Sequence, residues 1–152
     1  MIRTFIFVFA VLLCVPAFAG FPFEATLEEM AQEADHILIG RVTGVDMIDG
    51  NGKPVEDREA RTGPGRENII RILITVDEVL VTNASDVPSV IRVPLASHLH
   101  YRLGQISEVY EGDTLVRLVL LQGEDFTGIK PGVFLRSLSD KDEALRIYDA
   151  TH

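Results

Sequence analysis

Cysteine, tryptophan, clustered cations and a membrane-length apolar run are scarce or missing here, and each absence removes a class of function. The 152 residues hold one cysteine, Cys14, and no tryptophan. A lone thiol forms no internal disulfide. A chain cut after residue 19 keeps no thiol at all, and with it loses any thiol nucleophile or thiolate metal ligand. Basic residues number 14 against 23 acidic ones, a net charge of −9, and they form no cluster. Phosphate backbones are bound by grouped Lys and Arg, so nucleic acid is not an expected partner. The bland reading of the charge is solubility. Nucleophile elbow, phosphate loop, dinucleotide fingerprint and zincin spacing are all absent. Acidic pairs such as Glu124-Asp125 and Glu111-Asp113 read as solvated loop residues. The expectation is a protein that is not an enzyme.

What is present begins with a leader. Met1 and Arg3 give a cationic start, Phe5–Val15 is unbroken and apolar, and Pro16 ends it before Ala17-Phe18-Ala19. That order of parts is a secretory signal peptide over 1–19, cut before Gly20. The apolar run falls well short of the ~20 residues of a spanning helix. An uncleaved anchor over Phe5–Phe21 ranks second, and lipid attachment at Cys14 ranks below it, since Leu13 is not the small residue such a signal needs. The expected location is exported, periplasmic or extracellular, with no membrane contact after cleavage. Residues 20–152 make one domain by size, large enough to fold on a hydrophobic core without disulfides.

Thr26-Leu27-Glu28-Glu29 has the form of a capping box. Leu27, Met30, Ala31 and Ala34 then share one helical face, which predicts a short helix ending near Asp35. His36–Met47 reads as a strand, and Gly40 and Gly44 inside it predict a bend or bulge. The polar stretch 48–68 predicts a mobile loop or hairpin extension. Its Asp49-Gly50-Asn51-Gly52 fragment fails the calcium-loop pattern, because Lys53 and Pro54 stand where an acid or Asn and then Gly are needed. Asn68–Thr82 alternates cleanly up to a slip of phase near Glu78, where a bulge is predicted. Ser89–Leu95 is a further strand, with Pro94 marking an edge or an end. Leu103 to Tyr110 suits a helical turn or two. Thr114–Gln122 is apolar on nearly both faces and so central, and Val133–Leu138 is another strand. Leu145–Asp149 would close the sheet as a last strand, although Asp140–Tyr148 also has helical composition. Five or six strands with one short N-terminal helix point to a mainly β fold, a small antiparallel OB-like barrel.

One pair of residues has the chemistry of a metal site. His98 and His100 flank Leu99, and on an extended segment residues two apart face the same way. Both imidazoles would then take one divalent metal, with a carboxylate or water completing the shell. The competing reading is two exposed loop histidines. His36 would be a third ligand only through the tertiary fold, and His152 is the terminal residue.

Ala34-Asp35 on a capped helix, then Ile37–Val42 as "Ile-x-Ile-Gly-x-Val", Val76–Leu80 as "Val-x-x-Val-Leu", and Gly112-Asp113 before an apolar strand together resemble the netrin-like modules. These are related to tissue inhibitors of metalloproteinases, and uncharacterised bacterial exported proteins look similar. The resemblance implies an OB-type barrel. The inhibitors' zinc-chelating N-terminal cysteine has no counterpart, because Gly20-Phe21 stands at the expected new terminus. The expectation is therefore an exported binding or interaction module, with an unidentified protein or small ligand as partner and no cofactor. A metal-binding periplasmic protein using His98 and His100 is the first alternative, and an unrecognised hydrolase the second.

Overall fold

Thr26 starts the first helix by a reciprocal exchange. Its hydroxyl accepts from the Glu29 amide at 3.1 Å while the Glu29 carboxylate accepts from the Thr26 amide at 2.7 Å. Two orphan amides are thereby satisfied, and helix α1 runs Leu27–Glu33 with Met30 and Ala31 turned inward. The computed structural model describes residues 23–152. The leader, Cys14 and the cut before Gly20 lie outside them.

Strand β1 (His36–Ile48) follows at once and pairs antiparallel with β2 (Ile69–Thr82). β2 carries β3 (Val90–Pro94) on its far side. Helix α2 (Leu103–Tyr110) packs on the sheet before β4 (Val116–Gln122) pairs with the other side of β1. Two short pieces, β5 (Thr127–Gly128) and β6 (Leu135–Ser137), both pair with β4. A 3-10 turn at Leu138–Asp140 leads into α3 (Lys141–Thr151), which packs against α1. All pairings are antiparallel, in the order β3-β2-β1-β4-β5 with β6 also on β4. The mainly β expectation holds. The barrel does not close, because β3 and β5 approach without pairing, so the fold is a curled open sheet. Leu145–Asp149 is helix rather than strand.

β4 is central for the reason its composition gives. Val119 and Leu121 face a large core with Ile70, Ile72, Ile74, Val93 and Phe134. Leu118 and Leu120 face a second core with Met30, Ile37 and Ala144, beneath α1 and α3. Alternate residues of one strand thus fill two layers. The slip of phase in β2 is real: Ile37 faces Val81 and Leu38 faces Val79, which leaves Leu80 extra, and Ile39 faces Glu78 while Gly40 faces Val76, which leaves Asp77 extra. A third irregularity puts Thr43 out of register on β1.

Pro94 sits where an edge tolerates it. The Leu95 amide donates to Ile70 O at 2.9 Å, so by alternation Arg92 and Pro94 turn their amide side away from β2. A missing donor and a charged side chain blunt that edge against further pairing.

The 48–68 connection starts as a tight turn. The Asp49 carboxylate accepts from the amides of Asn51 and Lys53, and Ile48 bridges Pro54. The remainder lies against residues 97–104. Thr62 is buried, its hydroxyl donating to Leu99 O at 2.6 Å and accepting from the Tyr101 amide at 3.1 Å. Backbone bonds from Gly104 to Arg58, Leu103 to Ala60, Thr62 to Tyr101 and Gly63 to Ser97 complete the seam.

The outer face of the β1–β2 hairpin is a polar ladder. Arg71 meets the Asp46 carboxylate at 2.8 and 2.7 Å, and Arg41 meets Asp77 at 3.0 and 2.7 Å. The hydrogen bond from Arg41 holds the Asp77 carboxyl below its usual range, against a smaller opposing effect of burial. Hydrogen bonding to Thr26 does the same for Glu29, and to Arg146 for Glu143. A carboxyl lowered on folding adds stability above its unfolded value and loses it as pH falls through the folded one. The urea midpoint should therefore fall progressively below about pH 4. Asp77→Asn should flatten that fall, and an unchanged slope would contradict the assignment.

The two β1 glycines separate by the same kind of measurement. A Cβ on Gly40 would lie 2.6 Å from Thr75 O, whereas one on Gly44 would find nothing nearer than 3.9 Å. Gly40→Ala should cost about 1–3 kcal/mol as an overpacked site. Gly44→Ala should stay within about 0.5 kcal/mol.

Candidate functional site

The end of the sheet where β1 begins is held by two consecutive residues. The Asp35 amide donates to Leu121 O at 2.9 Å, which seats the dipeptide against β4. One Asp35 carboxylate oxygen accepts from Asn83 Nδ2 at 2.8 Å and the other from the Gly123 amide at 2.7 Å. His36 is fully buried beside it, with Nε2 3.0 Å from Gly123 O and Nδ1 2.8 Å from Thr82 Oγ1. A carbonyl only accepts, so Nε2 carries a proton and donates. In the neutral ring Nδ1 then accepts from the Thr82 hydroxyl, whose oxygen also accepts from the Ala84 amide at 3.1 Å. Gly123 is thus gripped by its N–H and its C=O from adjacent residues, and the exit of β2 is gripped by the same pair.

Phe126 completes the floor. Its ring centroid lies 4.4 Å from that of His36, tilted by 36°, and its side chain is buried. Its φ is +52°, the only positive value at a residue other than glycine among the described residues. A bulky side chain there costs on the order of 1–3 kcal/mol. Each bond made by Asp35 and His36 contributes about 0.5–3 kcal/mol, the higher values going to the charged acceptor. Four such bonds outweigh the strain, so the surroundings can impose it.

Above this floor the 83–86 turn and the Gly123-Glu124 turn stand apart as the walls of a cleft of about 760 Å³. Asp35, Asp86 and Glu124 line it. No Lys, Arg or His stands within 4.0 Å of their carboxylates as an ion pair among the described residues. A cleft of this size is in the range that takes a small ligand. Its carboxylates favour positive charge. Elsewhere, burial pushes the Tyr110 phenol up to about 12, with Arg117 opposing and Asp113 reinforcing. That phenol stays protonated at neutral pH. Arg117 and Asp113 pair at 2.7 Å at the entry to β4.

The histidine pair expected to bind metal is placed differently. His98 and His100 are exposed and sit in a turn closed by the Leu99 amide on Ala96 O and the Tyr101 amide on Leu99 O. The extended segment that would have aligned both rings is not formed. Among the described residues no group of three or more His, Cys, Asp or Glu is arranged to hold a metal ion. His36 has both nitrogens engaged at the Asp35 end. His152 closes α3, its ring stacked on Tyr148 with centroids 4.2 Å apart.

The sequence alone does not show Asp35 and His36 as a structural grip. Their partners lie 46 to 88 residues away in sequence, and only the polar ends of β2 and β4 (Thr82-Asn83 and Gly123-Glu124) carried any signal. No protein-family model, curated protein or solved structure matches the chain.

Asp35→Ala removes both acceptors that hold the two turns. It should cost about 1–3 kcal/mol, and hydrogen exchange at the Gly123 amide should quicken to the rate of an open loop. Retained protection of that amide would mean that Asp35 is not what holds the turn.

Proposed function

We propose that the chain is an exported, non-enzymatic binding module whose ligand enters the cleft between the 83–86 and 123–124 turns and carries a positive organic charge. The observation behind this reading is the cleft itself, about 760 Å³, where three carboxylates that no cation pairs among the described residues are gathered around one opening beside a strained, buried Phe126. Asp35 accepts one bond from the turns on each of its oxygens, while Asp86 and Glu124 accept none among the described residues and are the freer carboxylates to meet the ligand. An amine or guanidine would supply the missing counter-charge, and its methylenes would lie over the Phe126 ring. A metal ion fits less well, since Asp35 is already committed and a small cation needs converging ligands. Export rests on the leader pattern at 1–19. The non-enzymatic reading rests on the sequence, where no nucleophile and base stand in a recognised pattern.

The test is an amide NMR titration of the full chain with agmatine and with 1,4-diaminobutane. Binding should shift the amides of residues 83–86 and 123–126. Ser85→Trp, at an exposed position on the cleft wall, should abolish the shifts while leaving the thermal midpoint within about 2 °C. Shifts clustered elsewhere, or shifts that survive Ser85→Trp, would remove the cleft from consideration.

A further inference from the structure

Every arginine among the described residues has a carboxylate oxygen within 4.0 Å, except two. The exceptions are Arg61 and Arg66, and both lie in the 48–68 connection. In a chain with 23 acidic residues, leaving two neighbouring arginines unpaired runs against the general pattern. Both are exposed, and neither side chain makes a hydrogen bond among the described residues.

The backbone sets a third guanidinium opposite one of them. Arg61 stands directly opposite Arg102 in an isolated antiparallel bridge. The flanking bonds, from Thr62 to Tyr101 O and from Leu103 to Ala60 O, make it a pair without mutual hydrogen bonds, the type in which facing side chains come closest. Like charges facing each other across a ladder destabilise it. Glu59 answers Arg102 at 2.7 Å, and no carboxylate among the described residues answers Arg61. His100 packs its ring over Gly63, where a Cβ would lie 2.6 Å from Nδ1, and His98 is exposed two residues before it. The turn between the two arginines is held in place. Gly63 donates to Ser97 O at 2.9 Å, Arg66 donates to Gly63 O at 3.0 Å, and Thr62 is buried beneath. A surface fixed before binding loses little freedom on binding.

We infer that Arg61 and Arg66, with His98 and His100 beside them, form a docking surface for an acidic polypeptide segment. Guanidinium groups take carboxylates in paired hydrogen bonds, and two of them on one short turn suit two acidic side chains of an extended partner. Nucleic acid is the poorer occupant, because a net charge of −9 repels a long polyanion while a short segment engages the patch alone. The surface lies at the end of the β1–β2 hairpin opposite the Asp35 cleft, since β1 runs from that cleft into the 48–68 connection. It is independent of the ligand proposed there.

The experiment is fluorescence anisotropy of a fluorescein-labelled hexaglutamate peptide titrated with the full chain. It is run at about 20 mM and about 300 mM salt, between which exposed charges become strongly screened. Binding should weaken at the higher salt. Arg61→Glu with Arg66→Glu should weaken low-salt binding at least tenfold. Lys141→Glu with Arg146→Glu on α3, which makes the same change in net charge, should leave it within twofold. If the charge reversal does not fold, as judged by circular dichroism, Arg61→Gln with Arg66→Gln takes its place with the same expected direction. Equal losses from both double variants, or no loss from the first, would overturn the inference. So would a labelled DNA duplex that binds through Arg61 and Arg66 when hexaglutamate does not.

Discussion

The double grip of Asp35 and His36 on Gly123 is the constraint on which this end of the molecule depends. One residue takes the glycine's N–H and the next takes its C=O, so the turn after β4 is fixed in position and orientation together. The same two side chains reach Asn83 and Thr82, so the exit of β2 is fixed against the same reference. Three strand ends are thereby coupled through a single dipeptide. A buried imidazole with an unmet nitrogen would cost about 1–3 kcal/mol, which ties the His36 side chain to both of its partners. Losing one partner strands another. Phe126 packs its ring against His36 with its own backbone at a positive φ.

The sheet stays open for reasons at both of its edges. On one side, Pro94 and Arg92 turn away from β2 and offer a broken row of donors. On the other, β5 is two residues long and ends in Gly128, where a Cβ would lie 2.8 Å from Lys130 O. Too little strand is present at that edge to pair with β3. Curling nonetheless brings the edges near each other, because bulges at Asp77 and Leu80 tighten the twist of β2. The apolar interior is then sealed by side chains and by the 48–68 connection rather than by a closed ladder of hydrogen bonds.

The parts of this fold legible in the sequence are those governed by local periodicity. The capping box at Thr26, the alternation of Ile70, Ile72 and Ile74, the phase slip near Glu78 and the two-sided apolarity of β4 each have a cause within a few residues. The C-terminal segment was ambiguous because Leu145, Ile147 and Tyr148 fit either period over so short a span. Packing on α1, over a hundred residues upstream, selects the helix. Barrel closure was not legible either, since strand count says nothing about whether the last edge is long enough to pair. The candidate site was the least legible part. Single residues at strand ends, joined across 46 to 88 positions, leave no periodic trace. The His-x-His pair is legible because its members lie two residues apart, whereas the turn at Ala96–Leu99 that carries them has no periodic trace.

Charge organises what remains. A chain with an excess of acid has carboxylates enough for every cation, and nearly every arginine takes one, several with two-pronged geometry at 2.6–3.0 Å. Exposed pairs of this kind add little stability, about 0–1 kcal/mol each. They do neutralise the cations one by one. Against that background the exception is Arg61 and Arg66, guanidinium groups without carboxylates on the Gly63 turn. Folding stability does not account for them. An unpaired exposed charge contributes nothing to the fold, and the Arg61–Arg102 apposition works against it. Carboxylates without cations are the rule in a chain with 23 acidic and 14 basic residues, and what sets the Asp35 cleft apart is the grouping of three of them around one opening. Sequences that depart from local consistency tend to do so at functional sites, and the two arginines fall on a turn that the rest of the structure holds still.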